Sequence, residues 1–417
     1  MQSLNLHPSL LQATKELGYE KPTPIQAEAI PLIRSGRDLL ACAATGSGKT
    51  AAFLLPTIEK LLAGPPTRRT RVLVLAPTRE LAAQVAADCH DLAGRTKVRA
   101  AAIYGGVGMH PQIRAFKAGV DVLVATPGRL LDHLQYPYAN LDHIGTLILD
   151  EADRMLDMGF LPDIRRILAR VPKRRQTLFF SATMPPEIAK LAQEILQDPA
   201  SIATERKSAP AAGVRQLVIP VPQADKPRLL LDVLGRDGVR SVLCFTRTKR
   251  RADRLAMFLV KHGVAAERIH GNRSQGQRER ALDAFRRGRL RVLVATDIAA
   301  RGIDIDDLSH VINFDVPNVA EDYIHRVGRT ARASRTGDAL TFVARDEESD
   351  LAAIEKALQH RIEKAPRFAE EQEPVAGETR SGGKKRSPAA RSTPPKSGGR
   401  RRQAPRSSRT RAPRRVS

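Results

Sequence analysis

The sequence predicts an α/β protein: two tandem domains built on parallel sheets, followed by a disordered basic C-terminal tail. Three observations predict it. Short apolar runs recur with helical stretches between them, the alternation that builds a parallel sheet covered on both faces. The alternation lapses over residues 207–213 into Ser, Pro, Ala and Gly, and then starts again. Beyond Pro366 the apolar periodicity ends, and Gly, Ser, Pro and Arg dominate to Ser417. The predicted boundaries are 1–206 for the first domain, 207–213 for a linker, 214–365 for the second domain and 366–417 for the tail.

At 417 residues the chain is long enough for two cores. Cys42, Cys89 and Cys244 are scattered without paired spacing, which suggests neither a disulfide framework nor a zinc site. Residues 1–11 lack a basic stretch followed by a sustained apolar run, and no segment has the apolar length of a membrane span. A soluble cytoplasmic protein is the expectation. The formal net charge is +24, and residues 376–417 hold 14 Lys/Arg against Glu378 alone, a net of +13. That balance favours polyanions, nucleic acid first. With no Trp and 4% aromatics, phosphate and sugar contacts should outweigh base stacking.

In chain order, residues 1–35 read as helices around a loop at 18–26, shaped by Gly18, Pro22 and Pro24. Gln26 offers an amide able to pair in both directions with a base edge, although a solvated turn residue is the plainer reading. Residues 38–42 read as a strand, after which Ala43-Ala44-Thr45-Gly46-Ser47-Gly48-Lys49-Thr50 opens an apolar helix. Strand, Gly-rich turn and Gly-Lys-Thr at a helix start make a phosphate cradle. Backbone N–H groups receive the phosphates, Lys49 neutralises outer charge, and Thr50 reaches a metal. The strict pattern wants Gly at Ala43; the core from Gly46 to Thr50 is intact.

Further strands are expected at 72–75, 122–125, 147–149 and 178–180, with polar turns after them at 77–81, 126–129 and 181–183, and another at 105–106. Strand ends on one rim face the same side, so Arg79, Thr126 and Arg129 together suit a phosphate backbone. The run at 147–149 stops abruptly in Asp150-Glu151-Ala152-Asp153. A strand-end Asp suits Mg2+ on nucleotide phosphates, and Glu151 beside it is placed to orient or deprotonate an attacking water. An acidic helix start with Asp150 as N-cap is the alternative.

The second domain repeats the alternation, with strands expected at 241–245, 292–295, 311–314 and 339–343 and a helix at 251–262, but it has no second cradle. An amphipathic helix is expected over 346–364, with Leu351, Ile354, Leu358 and Ile362 on one stripe. Arg326, Arg329 and Arg332, at three-residue spacing, would fall near one helix face and suit a clamp on phosphates.

Taken together, the order of these motifs resembles the DEAD-box ATP-dependent RNA helicases of superfamily 2. Within them it is most similar to the bacterial RhlE-type group, from the strings at 122–132 (VLVATPGRLLD) and 149–160 (LDEADRMLDMGF). The resemblance runs from about Leu4 to Val343 and implies two RecA-like domains that close on ATP and single-stranded RNA. It implies that Thr45, Gly46, Ser47, Gly48, Lys49 and Thr50 hold the phosphates, with Thr50 also on Mg2+ and Asp150 its partner through water. Glu151 would be the base, Gln26 with Tyr19 would read adenine, and Asp304 would lie near the ribose. Arg326 and Arg329 would act as arginine fingers, while Asp153, Ser181, Thr183 and His325 would link ATP state to closure. Arg79, Gly106, Thr126, Arg129, Arg247, Gln277, Arg280 and Thr296 would contact the RNA backbone. Met1 stands three residues before Leu4, where the family has an aromatic on adenine, and Ala331 stands where a Gly is usual.

The physics fits that division: one domain holds the nucleotide, the other the arginines, so hydrolysis needs closure. If RNA binds across the same cleft, RNA and ATP must couple reciprocally. The implied function is RNA-stimulated ATP hydrolysis that unwinds short duplexes or remodels ribonucleoproteins, by a monomer with no membrane partner, with ribosomal or RNA-decay assemblies as its expected partners. An RNA clamp or annealing chaperone acting through the basic tail is a second reading, and a DNA translocase a third. The DEAD-type acidic motif and the Gln26 loop tilt against the last, and competition by RNA and DNA of matched sequence decides, since only RNA offers the 2′-hydroxyl.

Overall fold

The computed structural model describes residues 1–43, 46–203, 214–300, 308–330 and 337–365. The expected linker and tail, together with Thr45, Asp304, Ala331 and Arg332, lie outside the described residues. The first sheet contains β1 (Leu39–Cys42), β2 (Val72–Leu75), β3 (Ala100–Ile103), β4 (Val122–Ala125), β5 (Thr146–Leu149), β6 (Gln176–Ser181) and β7 (Ala200–Ala203). All its pairs are parallel, in the order β3-β4-β2-β5-β6-β1-β7.

Its central strands are buried on both faces by helices, and β2 and β4 are accordingly unbroken apolar runs. Strand alternation sends Val72, Val74, Val122, Val124, Ile148, Leu178 and Phe180 into one core, shared with helices Pro24–Arg34, Lys49–Ala63 and Arg79–Ala93. Leu73, Leu75, Leu123, Leu147, Leu149 and Phe179 enter the opposite core, with helices Pro127–His133, Leu161–Leu168 and Pro186–Ile195.

The second sheet contains β8 (Val214–Pro220), β9 (Val242–Phe245), β10 (Ala266–Ile269), β11 (Val292–Ala295), β12 (His310–Asn313), β13 (Gly337–Val343) and β14 (Glu363–Lys364), all parallel. Its order is β10-β11-β9-β12-β13-β8-β14. Val242, Cys244, Val292 and Val294 face one core, and Leu243, Phe245, Leu293 and Ala295 the other. Two tandem RecA-like layers of helix, sheet and helix result, and in each the parallel pairing puts every strand's carboxyl end on one rim.

The structure corrects two expectations. The helix expected over 346–364 is a 3-10 turn at Arg345–Glu347, a helix at Glu348–Leu358, and then Gln359 with φ +58°. Ile362 still enters the core beside Leu351 and Ile354, but through a turn whose N–H donates to Glu355 Oε1 (3.0 Å), after which β14 pairs with β8. The helix carrying the arginines is Ala320–Val327 and ends at Gly328, so Arg329 sits in the turn beyond it rather than on its face. Strands β3, β7, β8, β10 and β14 were not among those expected: β7, β8, β10 and β14 carry polar residues, and β3 is Ala-rich and an edge strand. Among the described residues no helix is long and apolar enough to cross a membrane.

Candidate active site

The carboxyl rim of the first sheet gathers the residues after β1, β5 and β6. Gly46 and Gly48 hold φ +76° and +89°, and Gly48 is the N-cap of helix Lys49–Ala63. A Cβ on Gly48 would also lie 2.5 Å from Gln26 Nε2. Gln26 comes that close because Nε2 donates to the Gly48 carbonyl (3.1 Å) while Oε1 accepts from Thr23 N–H (3.0 Å). The loop that carries Gln26 and the partly exposed Tyr19 is thereby fastened to the cradle, and the amide keeps one donor and one acceptor position for another group. Lys49 is buried, its Nζ donating to the Ala43 carbonyl (3.1 Å), and Thr50 follows in the first helical turn.

Asp150 is buried at the end of β5, and its Oδ1 has no hydrogen-bond partner. It is not a helix cap: Glu151 is the N-cap of Ala152–Asp157 and makes no capping bond. Burial pushes the Asp150 carboxyl up to about 6, against the pull of the Lys49 charge and with the push of Glu151. A desolvated, orphaned carboxylate oxygen near Lys49 fits a divalent cation that keeps most of its waters and phosphate ligands. Among the described residues there is no cluster of three or more His, Cys, Asp or Glu suited to an all-protein metal cage.

Glu151 has φ +53°, a strained conformation for a residue with a side chain. Its Oε2 accepts from Arg154 Nη1 at 3.1 Å, with both side chains buried. Turn and ion pair together fix the direction of the carboxylate. Asp153 joins β5 to β6: its Oδ2 accepts from Thr183 N–H (2.8 Å) and Thr183 Oγ1 (2.9 Å), its own N–H donates to Ser181 Oγ (3.2 Å), and Ser181 Oγ donates to the Thr183 carbonyl (2.7 Å). Burial alone would raise the Asp153 carboxyl, but the two Thr183 donors, aided by Lys49 and Ser181, hold it below its ordinary value.

In the second domain Arg326 is only 2% exposed. Its Nε and Nη2 donate to the two carboxylate oxygens of Asp297 (2.6 and 2.7 Å), and Nη1 donates to Asn313 Oδ1 (3.1 Å) and the Asp315 carbonyl (2.8 Å). The guanidinium also lies 4.9 Å from the Phe245 ring centroid. Arg326, Arg329 and His325 line one crevice together with Arg154 of the first domain, whose Nη2 lacks a partner.

Of the residues expected along RNA, Arg79, Gly106 and Arg129 come together. A Cβ on Gly106, which has φ +79°, would fall 2.0 Å from Arg79 Nη1, and Arg129 Nη1 donates to the Val107 carbonyl (3.1 Å). Thr126 is buried beneath them, its N–H donating to the Ile103 carbonyl (2.9 Å). Thr296 occupies the equivalent strand end in the second domain. Arg247 is engaged by Asp350 (2.8 Å) and the Val316 carbonyl (2.9 Å). Gln277 closes a capping box with Ser274, and Arg280 is exposed on the same helix, Gln275–Arg286.

Sequence reasoning passed over Arg154, Asp297 and, above all, the pair that joins the two halves. Arg278 Nη2 meets Glu80 Oε1 at 3.0 Å with both side chains under a tenth exposed, and Gln275 Nε2 donates to the same oxygen at 3.3 Å. The capping pattern Ser274-x-x-Gln277 was the available signal: it assigns Gln277 to the helix start and leaves Gln275 and Arg278 for other work.

A family model described as DEAD/DEAH box helicase matches residues 23–191, and one described as helicase conserved C-terminal domain matches 225–334. The chain is 43% identical to the DEAD-box ATP-dependent RNA helicase CshA of Bacillus subtilis (strain 168) over 363 residues, 87% of this chain and 73% of that protein. It is 43% identical to CshA of Geobacillus kaustophilus (strain HTA426), covering 87% and 77% respectively. Among solved structures, S. cerevisiae Dbp5 bound to RNA and ADP BeF3 superposes with a TM-score of 0.80 at 31% identity, over 89% of this chain and 96% of that one. Mss116p bound to ssRNA and AMP-PNP gives 0.79 at 28% identity, over 88% and 79%.

Proposed function

The chain belongs to the DEAD-box ATP-dependent RNA helicases, and from that premise we propose how its residues divide the work of RNA-stimulated ATP hydrolysis. The observation that carries the reading is the rim of the first sheet, where a glycine-turned cradle, buried Lys49 and the orphaned oxygen of Asp150 meet. ATP lies with its phosphates on the backbone N–H groups after Gly46 and on Lys49, its base near Gln26 and Tyr19. Thr50 and Asp150 would hold Mg2+, which would neutralise phosphate charge when bound. Glu151, aimed by its strained turn and by Arg154, takes a proton from the attacking water.

The sequence assigns Arg326 and Arg329 one role; the geometry supports dividing them. Arg326 makes four hydrogen bonds within its own domain and braces the turn, while Arg329, beyond the helix end, supplies charge to the phosphoryl group on closure. Such an arginine is worth about three to five orders of magnitude in rate. Asp153, Ser181 and Thr183 tie the Glu151 turn to the end of β6, and His325 lies in the crevice with Arg154, a route from the nucleotide to the interdomain contact. RNA runs along Arg79, Gly106, Thr126 and Arg129 and continues to Thr296, Arg280, Gln277 and Arg247; closure bends or separates the strand, and product release reopens the clamp. The solved relatives that carry RNA with a nucleotide analogue support this partnership.

The finer placement in the RhlE-type group rests on the two strings at 122–132 and 149–160, whereas the named relatives are CshA proteins, so the proposal is confined to chemistry common to the family. A cytoplasmic monomer working in ribosomal or RNA-decay assemblies is part of the same proposal. The test is ATP hydrolysis with and without single-stranded RNA for the wild type and Glu151→Gln. RNA should stimulate the wild type strongly, and the variant should lose roughly 100-fold or more while binding RNA normally. Hydrolysis indifferent to RNA, or to loss of Glu151, would refute the assignment.

A further inference from the structure

The amino-terminal rim of the first sheet, opposite the cradle, is a belt of basic loops. The segments leading into its seven strands, residues 35–38, 64–71, 94–99, 117–121, 139–145, 170–175 and 196–199, hold 12 Lys/Arg and four Asp, a net of +8. Residues 1–203 together carry a net of +5, so the remainder of the domain is net negative. The charge is therefore placed, not spread.

Side-chain bonds join several neighbouring loops of this belt. Asp121 before β4 accepts from Arg71 Nη2 before β2 (2.7 Å) and from Arg99 N–H before β3 (3.0 Å). Arg69 Nη1 lies 2.8 Å from His143 Nε2 in the loop before β5, and Gln176 Nε2 donates to the Arg37 carbonyl before β1 (2.8 Å). Seven strands at about 4.8 Å spacing make a belt roughly 30 Å long. Asp38 and Asp121 are buried and satisfied from within, whereas Arg68, Lys97, Lys117, Lys173 and Arg174 are exposed and make no ion pair with another described residue.

An aromatic face adjoins this row. Tyr136 is 50% exposed and stacks on Tyr138 with ring centroids 5.5 Å apart and planes within 8°; it lines a hollow with Asp142 and Arg170 from two of the belt's loops. A row of cations beside an open aromatic face suits a single strand, with phosphates along the row and a base on the ring. A protein partner would want an apolar centre, and among the described residues the belt segments expose no large apolar side chain.

We propose that this rim is a second RNA-binding surface, which takes single-stranded RNA flanking the segment held at the carboxyl rim. That the polyanion is RNA rests on the helicase reading. The test uses the full chain with Arg68, Lys117, Lys173 and Arg174 each changed to Gln, and compares a strand of about ten nucleotides, the span of one binding cleft, with one several times longer. The variant should bind the long strand at least tenfold more weakly, with a salt dependence (log K against log salt) shallower by roughly 3, while the short strand stimulates its ATPase as in the wild type. Tyr136→Ala should weaken long-strand binding several-fold and Tyr136→Phe should restore it. Unchanged affinity and salt slope for the long strand would overturn the proposal, as would loss of poly-glutamate binding with RNA binding intact. Failure of the short strand to stimulate the wild type would count against the helicase reading, and the long-strand comparison would still judge the belt.

Discussion

Asp150 and Asp153 lie three residues apart, and their surroundings pull them in opposite directions. For Asp150 burial dominates, raising it from an ordinary value of 3.8 to about 6. Between those values the folded chain binds a proton that the unfolded chain has released, so stability contributed by the neutral form is lost as pH rises through about 6. Asp150→Asn should therefore be more stable than the wild type at pH 7, by on the order of 3 kcal/mol, and equally stable near pH 4, as ligand-free unfolding curves will show; its ATPase should be abolished. Asp153 is held low by Thr183, so its contribution is present above the ordinary carboxylate value and lost as pH falls. Thr183→Val removes one hydrogen bond to that charge and should cost about 1.5–3 kcal/mol at neutral pH, with the gap closing in acid. An opposite pH trend in either variant would show that the wrong force had been named.

At the scale of elements, the arginine-bearing helix depends on a carboxylate outside it. Arg326 is buried and bidentate on Asp297, so Asp297→Asn leaves a desolvated guanidinium short of its counter-charge and should destabilise the second domain by roughly 3 kcal/mol in urea unfolding. Arg326→Lys should not rescue the site, because a point charge cannot span Asp297, Asn313 and the Asp315 carbonyl together. The same helix shows what a sequence can and cannot tell. Three-residue spacing put Arg326 and Arg329 on one face, and the local stop signal, Gly328 itself, was outweighed by that spacing. β2, β4 and β11 were legible because both faces are buried and every residue is apolar, and β5 because Leu147 to Leu149 continue that pattern after Thr146. β3, β7, β10 and β14 are edge strands with half-open faces, and Ala-Glu-Arg-Ile of β10 carries no such run. The cradle and the DEAD turn could be read because phosphate and metal chemistry restrict residue type at fixed spacing; Arg154 and Asp297 could not, since they act through partners that only the fold brings near.

Across the whole described molecule, Glu80 and Arg278 form a buried ion pair between the two RecA-like halves, contributed by helices that also present Arg79 and Arg280. Burial lowers the Arg278 guanidinium's pKa and Glu80 counters it, so the charge is tolerable there only while the pair is made. That makes the contact sensitive to interdomain geometry: opening the halves exposes both groups to water, and closing them without the partner leaves one charge desolvated. Glu80→Arg and Arg278→Glu should each raise the RNA concentration needed for half-maximal ATPase by about tenfold or more, since a like-charged pair now opposes the closed form that RNA favours. The swapped double variant restores attraction with the sign reversed and should recover most of that loss, giving a coupling energy of about 1 kcal/mol or more in the double-mutant cycle. ATP hydrolysis without RNA, where closure is not being driven, should change little in any of the three. Additive single effects, with no recovery in the swap, would mean that Glu80 and Arg278 act on RNA separately and that the pair is not part of the clamp.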